Sequence, residues 1–249
     1  MKTSIKLITS VSLAALLGFV GVQQFTSDTN GISKSQSIAE SDTDKKTINI
    51  SYSADFPYTE NLQDMYQEAD LVAIGRYDSF DSSWNMARNP ADIKEEDSEN
   101  YVEGHLYNFK IEEILAGESD KKIKINLRYE ELVEVEDEQG NKLKVKNKDP
   151  LFLEPETGEK YLVFLKKDLN FGNYYGAIEP FQILLDKDDI AQLKTNLKQE
   201  SYVKKQVIKV DNGKTFVNIE TDLEPLTDKI SGKSLVDLKN EIASYGTKE

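Results

Sequence analysis

The chain has no cysteine among its 249 residues. Disulfides, thiol nucleophiles, cysteine-held metals and a lipid-modified cysteine anchor are therefore excluded. His105 is the single histidine. Catalytic zinc normally takes two or three histidine ligands, so a histidine-rich zinc site is excluded as well. A Ser-His-Asp triad would have to use His105, within Glu103-Gly104-His105-Leu106-Tyr107, and no Gly-x-Ser-x-Gly nucleophile elbow accompanies it. A glycine-rich phosphate loop, a dinucleotide fingerprint and the EF-hand loop pattern are all missing. The sequence thus assigns no catalytic residue, no metal ligands and no cofactor.

Acid is what the chain has in excess. There are 45 acidic residues against 31 basic ones, a net charge of −14. Such a surface repels nucleic acid and anionic lipid, so neither is expected as a direct partner. An exported eukaryotic domain of this size would usually carry disulfides. Their absence, with a body rich in Lys, Asn, Asp and Glu, points to a Gram-positive bacterial source.

The N-terminus reads as an export signal. Lys2 and Lys6 form a basic start, and Leu7 to Val22 follows with no charge before Asp28. A basic start ahead of an uncharged apolar core is the pattern of a secretory leader. Gly18 and Gly21 loosely satisfy signal peptidase, which would cut before Val22. The uncharged window from Leu7 to Ser27 also has the length of an uncleaved anchor. Either way the body lies outside, because the lysines precede the apolar stretch and the acids follow it. Residues 1–25 are thus a signal peptide or anchor. Residues 26–46, dominated by small polar side chains, are a flexible linker. Residues 47–249 form one β-rich extracellular domain. The protein is expected to be secreted or tethered to the outer face of the cytoplasmic membrane.

Within that domain most segments alternate with period two. Ile48, Ile50 and Tyr52 read as a strand, as do Tyr107-Phe109-Ile111 and Ile123-Ile125-Leu127-Tyr129. Leu71 to Tyr77 and Tyr161 to Leu165 are short apolar runs of the buried-strand type. Tyr174 to Ile178 and Phe181 to Leu185 continue the set. Two hairpins are expected: Leu132 to Val145, turning at Gln139-Gly140-Asn141, and Val207 to Ile219, turning at Asp211-Asn212-Gly213. Three helices are read. One is capped by Thr59 and carries Leu62, Met65, Tyr66 and Ala69. A second spans Asp186 to Lys198, with Ile190, Leu193 and Leu197 on one face. The third follows Ser234, whose pairing with Asp237 resembles a capping box. Many short strands with few helices predict a mainly β fold, a β-barrel with two or three peripheral helices.

Three pieces sit in a familiar order: Ala69-Asp70-Leu71-Val72-Ala73-Ile74-Gly75, Phe109 to Gly117, and Gly158 to Leu165. The pattern resembles one found in uncharacterised exported bacterial proteins, and loosely the OB-like barrels of the netrin and metalloproteinase-inhibitor type. It covers roughly Ala69 to Pro180, and its motifs are structural ones. The resemblance implies an OB-like or related barrel. The animal inhibitors chelate their target's metal through a disulfide-bound cysteine, so their activity does not carry over to a chain without cysteine.

Asp78 to Gly104 reads as a long irregular loop, and long loops are often functional. It holds the only tryptophan, Trp84, with Met86 and Arg88 close by, then the acidic run Glu95-Glu96-Asp97-Ser98-Glu99. Trp84, Met86 and Arg88 are candidate partner contacts, with the bland alternative that Trp84 folds back over a barrel end. Tyr174 and Tyr175 are candidates for lining a sugar or peptide groove, with core packing as the alternative. The acidic run, and Asp186, Asp188 and Asp189, offer at most weak calcium binding; a solvated loop and a helix start are the plainer readings. The function expected is a non-enzymatic, envelope-associated or secreted binding module for an extracellular protein or a glycan. Membrane contact is expected only through the N-terminal segment if it stays uncleaved. The alternative is a secreted hydrolase using a carboxylate pair. A third reading is a structural or stress-related surface protein.

Overall fold

β-Branched and aromatic residues at alternate positions drive most of the chain into strands. The computed structural model describes residues 20–23, 46–54, 56–137, 139–197, 202–210 and 215–246. In chain order the elements are β1 (Val20–Gln23), β2 (Lys46–Ala54), α1 (Leu62–Glu68), β3 (Leu71–Asn85), β4 (Arg88–Asn89), β5 (Asp92–Glu96), β6 (Val102–Ala116) and β7 (Lys122–Glu136). There follow β8 (Lys142–Lys148), β9 (Lys160–Lys167), β10 (Tyr174–Gly176), β11 (Gln182–Leu185), β12 (Ala191–Leu193), β13 (Tyr202–Val210), β14 (Thr215–Leu223) and α2 (Leu235–Ser244). The protein is mainly β, with two helices among the described residues.

The larger sheet has eight strands. Its path runs β10-β7-β6-β3-β9-β11-β12, with β8 paired to β7. Strand β10 also pairs antiparallel with β9, while Tyr174 meets Ile125 of β7 in parallel. The pairings β3–β6, β6–β7, β7–β10, β10–β9 and β9–β3 therefore run in a circuit. A four-stranded sheet, β1-β2-β14-β13, stands beside it, and β4 and β5 form a separate two-stranded ribbon.

Every residue of Leu71–Gly75 and of Tyr161–Leu165 is buried, because both faces of these strands are covered. On one face Leu71, Ala73, Tyr77, Val163 and Leu165 join Phe109, Ile125 and Tyr174 in a core between strands. On the other, Val72, Ile74, Leu162 and Phe164 pack with Leu62 and Met65 of α1 and Leu238 and Ile242 of α2. A third, smaller core joins the four-stranded sheet to the far end of the β7–β8 hairpin through Ile48, Ile50, Val135, Val145, Val217 and Ile219. Asp137 fixes that hairpin turn: its Oδ1 accepts from the Gln139 and Asn141 N–H groups, both at 2.8 Å. Lys46 of β2 reaches the same carboxylate at 2.7 Å. The Lys46 ammonium, aided by Asn141, holds the Asp137 carboxyl well below the usual carboxylate range.

Gly117 closes the β6–β7 turn at φ +80°, where a Cβ would lie 2.1 Å from the Asp70 carbonyl oxygen. Only glycine fits that close approach.

Several expectations need correction. Residues 186–197 are not a helix, and Lys198, where the expected helix ended, lies outside the described residues. Asp186 Oδ1 accepts from the Asp188 and Ile190 N–H groups, both at 2.9 Å, forming a turn into β12. Ile190, Leu193 and Leu197 have helical spacing, yet a turn followed by a short strand buries Leu193 and Leu197 equally well. Residues 78–104 are not an irregular loop: β3 continues to Asn85 and β6 begins at Val102. Helix α1 starts after Asn61, which makes no side-chain cap, while Thr59 accepts from the Asn61 N–H at 3.0 Å and donates to Asp64 at 2.6 Å. The cap on α2 is present: Ser234 Oγ accepts from the Asp237 N–H at 3.1 Å.

Residues 1–19 and 24–25 of the leader and 26–45 of the linker lie outside the described residues, as does the turn 211–214. Residues 20–23, within the segment read as leader, pair with β2, and Lys46 is the first residue of β2. No described helix is long and apolar enough to cross a membrane, a fact that bears on helices alone.

Candidate functional site

The β3–β6 hairpin places Trp84 opposite Gly104. Beyond Trp84 the chain turns on the buried Asn85. Its Oδ1 accepts from the Ala87 and Val102 N–H groups, each at 3.0 Å, and its Nδ2 donates to the Asn100 carbonyl at 3.3 Å. That single side chain closes the base of the segment 86–101. The segment is ordered: β4 and β5 pair, and the Asp97 N–H donates to the Ala87 carbonyl at 3.1 Å.

Trp84 is half-buried, and its Nε1 donates to Asn126 Oδ1 at 2.9 Å. Asn126 Nδ2 faces Met86 Sδ at 3.4 Å. Gly104 makes room for all three: a Cβ there would lie 2.4 Å from Asn126 Oδ1 and 2.7 Å from both Met86 Sδ and Trp84 Nε1. Phe171 comes in from the β9–β10 loop, where Asp168 Oδ1 accepts from the Asn170 and Phe171 N–H groups at 2.8 and 3.1 Å. The rings of Trp84 and Phe171 meet edge to face, 5.1 Å apart at 61°. Arg88 lies in the angle between them, its Cζ 4.7 Å from each ring centre. Arg88 Nη2 donates to the Asn85 carbonyl at 2.6 Å, and its buried Nε has no hydrogen-bond partner.

Trp84, Met86 and Arg88 are thus brought together, and the sequence reading missed Phe171 and Asn126. An apolar residue inside Asp168-Leu169-Asn170-Phe171-Gly172 was the available signal for Phe171. Tyr174 and Tyr175 do not join the cluster through a ring contact. Tyr174 is buried in the inter-strand core, whereas Tyr175 is half-buried and points to the other side of its strand. Burial raises the Tyr175 hydroxyl's pKa.

His105 belongs to a second aromatic cluster. Its ring stacks on Tyr129 at 3.9 Å and 17°, with Phe80 and Phe152 edge-on. Its Nε2 is 3.0 Å from Glu103 Oε1, and the Tyr101 hydroxyl donates to Glu103 Oε2 at 3.0 Å. Burial opposes ionisation of Glu103, but the bonds from His105 and Tyr101 outweigh it and hold the carboxyl below its usual range. Among the described residues no hydroxyl is hydrogen-bonded to His105, so this pair has no activated nucleophile.

Three of the acids read as weak calcium candidates are engaged locally. Asp186 serves its turn, Asp189 accepts from Lys160 at 2.7 Å, and Asp97 caps the Glu99 and Asn100 N–H groups at 2.8 and 3.0 Å. Among the described residues no three His, Asp or Glu side chains are grouped to hold a metal. One carboxyl stands apart. Burial, then the charge of Asp149, pushes Glu179 up to about 8. Its backbone is pinned by bonds to Pro57 and Thr59 at 3.2 and 2.8 Å. Two open surface pockets, of about 370 and 450 Å³, lie elsewhere: one by Leu193 and Ser231, the other between Tyr66 and Ile242.

Comparison with known proteins finds no matching family, no matching curated relative and no matching solved structure.

Proposed function

We propose that this protein is an exported, non-enzymatic binding module built on an OB-like β-barrel. In this reading it is secreted or held at the outer face of the cytoplasmic membrane, and it recognises an extracellular protein or a glycan. The barrel reading is supported by the circuit of pairings, which follows the OB order: a three-stranded meander (β3, β6, β7), a parallel β7–β10 pairing, and β9 between β10 and β3. Small barrels of this kind bind ligands across the second and third strands and the two loops beside them. The observation that carries the binding reading is that Trp84 at the end of the first strand, with Arg88 and Phe171 from those two loops, meets over Asn126 of the third strand. Trp84→Ala should abolish capture of an envelope or secreted partner by the immobilised domain. Unchanged capture would remove Trp84 from the contact surface.

A carboxylate-dependent hydrolase is the second reading, favoured by one observation. Glu179, whose carboxyl burial and then the charge of Asp149 push up to about 8, has the character of a general acid beside a second carboxylate. An activity on glycan or ester substrates that disappears in Glu179→Gln would establish it.

A further inference from the structure

Resting on the binding-module reading, we propose that the corner formed by Trp84 and Phe171 is a receptor for an arginine of a basic partner peptide, and that Arg88 occupies it as an internal stand-in. The three centres form a nearly equilateral triangle, with 4.7 Å from Arg88 Cζ to each ring centre and 5.1 Å between the rings. Such a corner presents the negative ring face that attracts a planar cation. It already fits a guanidinium, because it holds one.

The resident guanidinium is weakly secured. The chain has three arginines. Arg76 pairs with Glu112 at 2.7 Å, and Arg128 pairs with Glu131 at 2.5 Å and Asp149 at 3.4 Å. Arg88 has no carboxylate partner among the described residues, despite the acid excess of the chain. Its one hydrogen bond goes to a neutral carbonyl, and its Nε is buried without an acceptor. A buried donor left unmade is costly, so release of Arg88 to water recovers hydration that the closed corner denies it. The segment that carries Arg88 is short. Strand β4 has two residues, and all of β5 is exposed. Small, solvent-exposed ribbons sit at the low end of local stability.

The surroundings suit a basic peptide. Asp92, Glu95, Glu96 and Glu99 are exposed on the same segment, and the net charge of −14 draws cations towards the protein. Leu169, 85% exposed in the Phe171 loop, and Ile93, 42% exposed on β5, offer apolar contact on the two loops that make the corner.

Trp84 is the only tryptophan, so emission excited at wavelengths longer than the tyrosine band reports this corner alone. The full-length protein is titrated with a capped oligo-arginine peptide, an oligo-lysine and an oligo-glutamate of equal length. Oligo-arginine should change the Trp84 emission saturably. Arg88→Gln, which removes the internal competitor, should tighten that response at least about threefold. Phe171→Ala should abolish it while leaving the denaturation midpoint of the larger sheet measurable as a folding control. Oligo-lysine should bind more weakly. The proposal falls if oligo-arginine leaves the emission of both wild type and Arg88→Gln unchanged, if oligo-glutamate gives the same response, or if Phe171→Ala responds as wild type does. Loss of partner capture in Trp84→Ala together with a silent oligo-arginine titration would retain the binding module and discard the arginine receptor.

Discussion

Trp84 Nε1 donates a hydrogen bond to the side-chain oxygen of Asn126 at 2.9 Å, linking the tip of one hairpin to the middle of the neighbouring strand. Asn126 is 6% exposed, so water does not readily replace its end of this bond. Asn126→Leu keeps the branched shape and removes the acceptor, which should cost about 1–2 kcal/mol in unfolding free energy. The Trp84 emission should move to longer wavelength as the indole turns to find water. An unchanged urea midpoint would show that the bond contributes nothing net.

Gly104 tests the same cluster from below. A methyl group there would overlap Asn126, Met86 and Trp84, all closer than 3 Å. Gly104→Ala should therefore destabilise by about 1–3 kcal/mol, the range for overpacking a filled site. It should also broaden the amide resonances of residues 84–88. Sharp, unshifted resonances would mean the indole has free space to move.

Tyr77 sits at the centre of the inter-strand core. It meets Tyr107, Phe109 and Tyr161 edge to face at 5.9, 5.0 and 5.2 Å, and donates to Gln182 Oε1 at 3.1 Å. Tyr77→Phe keeps the rings and orphans the buried Gln182 oxygen, costing about 1–2 kcal/mol. Tyr77→Ala also loses the three ring contacts and leaves a cavity, costing about 3–5 kcal/mol. Equal midpoints for the two variants would assign the whole effect to the hydroxyl.

How far the sequence spoke for itself depended on period and coverage. Leu71 to Gly75 and Tyr161 to Leu165 were legible because strand segments covered on both faces admit no charged residue. Asp78 to Gly104 was not. Along β3 the register with β6 shifts between Tyr77 and Ser79 and again between Phe80 and Ser82, and each bulge breaks the two-residue period. Polar Ser79, Asp81 and Ser83 then read as loop. The 186–198 error had a different origin, since residues spaced three and four apart can be buried by a turn that feeds a strand. Trp84, Met86 and Arg88 were singled out by chemistry alone. Phe171 and Asn126 were not, because their contact with Trp84 spans 87 and 42 positions of chain and depends on which strands become neighbours. Tyr174 was marked as a surface candidate, yet strand alternation directs it inward to the core and leaves only Tyr175 partly open.

Glu179 gives a pH dependence with a defined sign. Burial, then Asp149, pushes its carboxyl up to about 8, whereas an unfolded glutamate titrates near ~4.3. Between those values the folded chain retains a proton that the unfolded chain has released. The unfolded state then binds fewer protons, so stability falls as pH rises through this window, and the loss is complete above about pH 8. Residues whose carboxyls are held low, such as Asp64, Glu103 and Glu241, act differently: their contribution is present above the unfolded value and is lost only as the solution becomes more acidic than that. They leave the window above about pH 5 to Glu179. Glu179→Gln removes the titration while keeping a neutral side chain of equal size. Allowing for the residue's remaining exposure, the variant should match wild type near pH 5 and exceed it by about 1–2 kcal/mol at pH 8, read from urea midpoints across the range. Parallel curves for the two proteins would mean that the Glu179 carboxyl titrates where an exposed glutamate does.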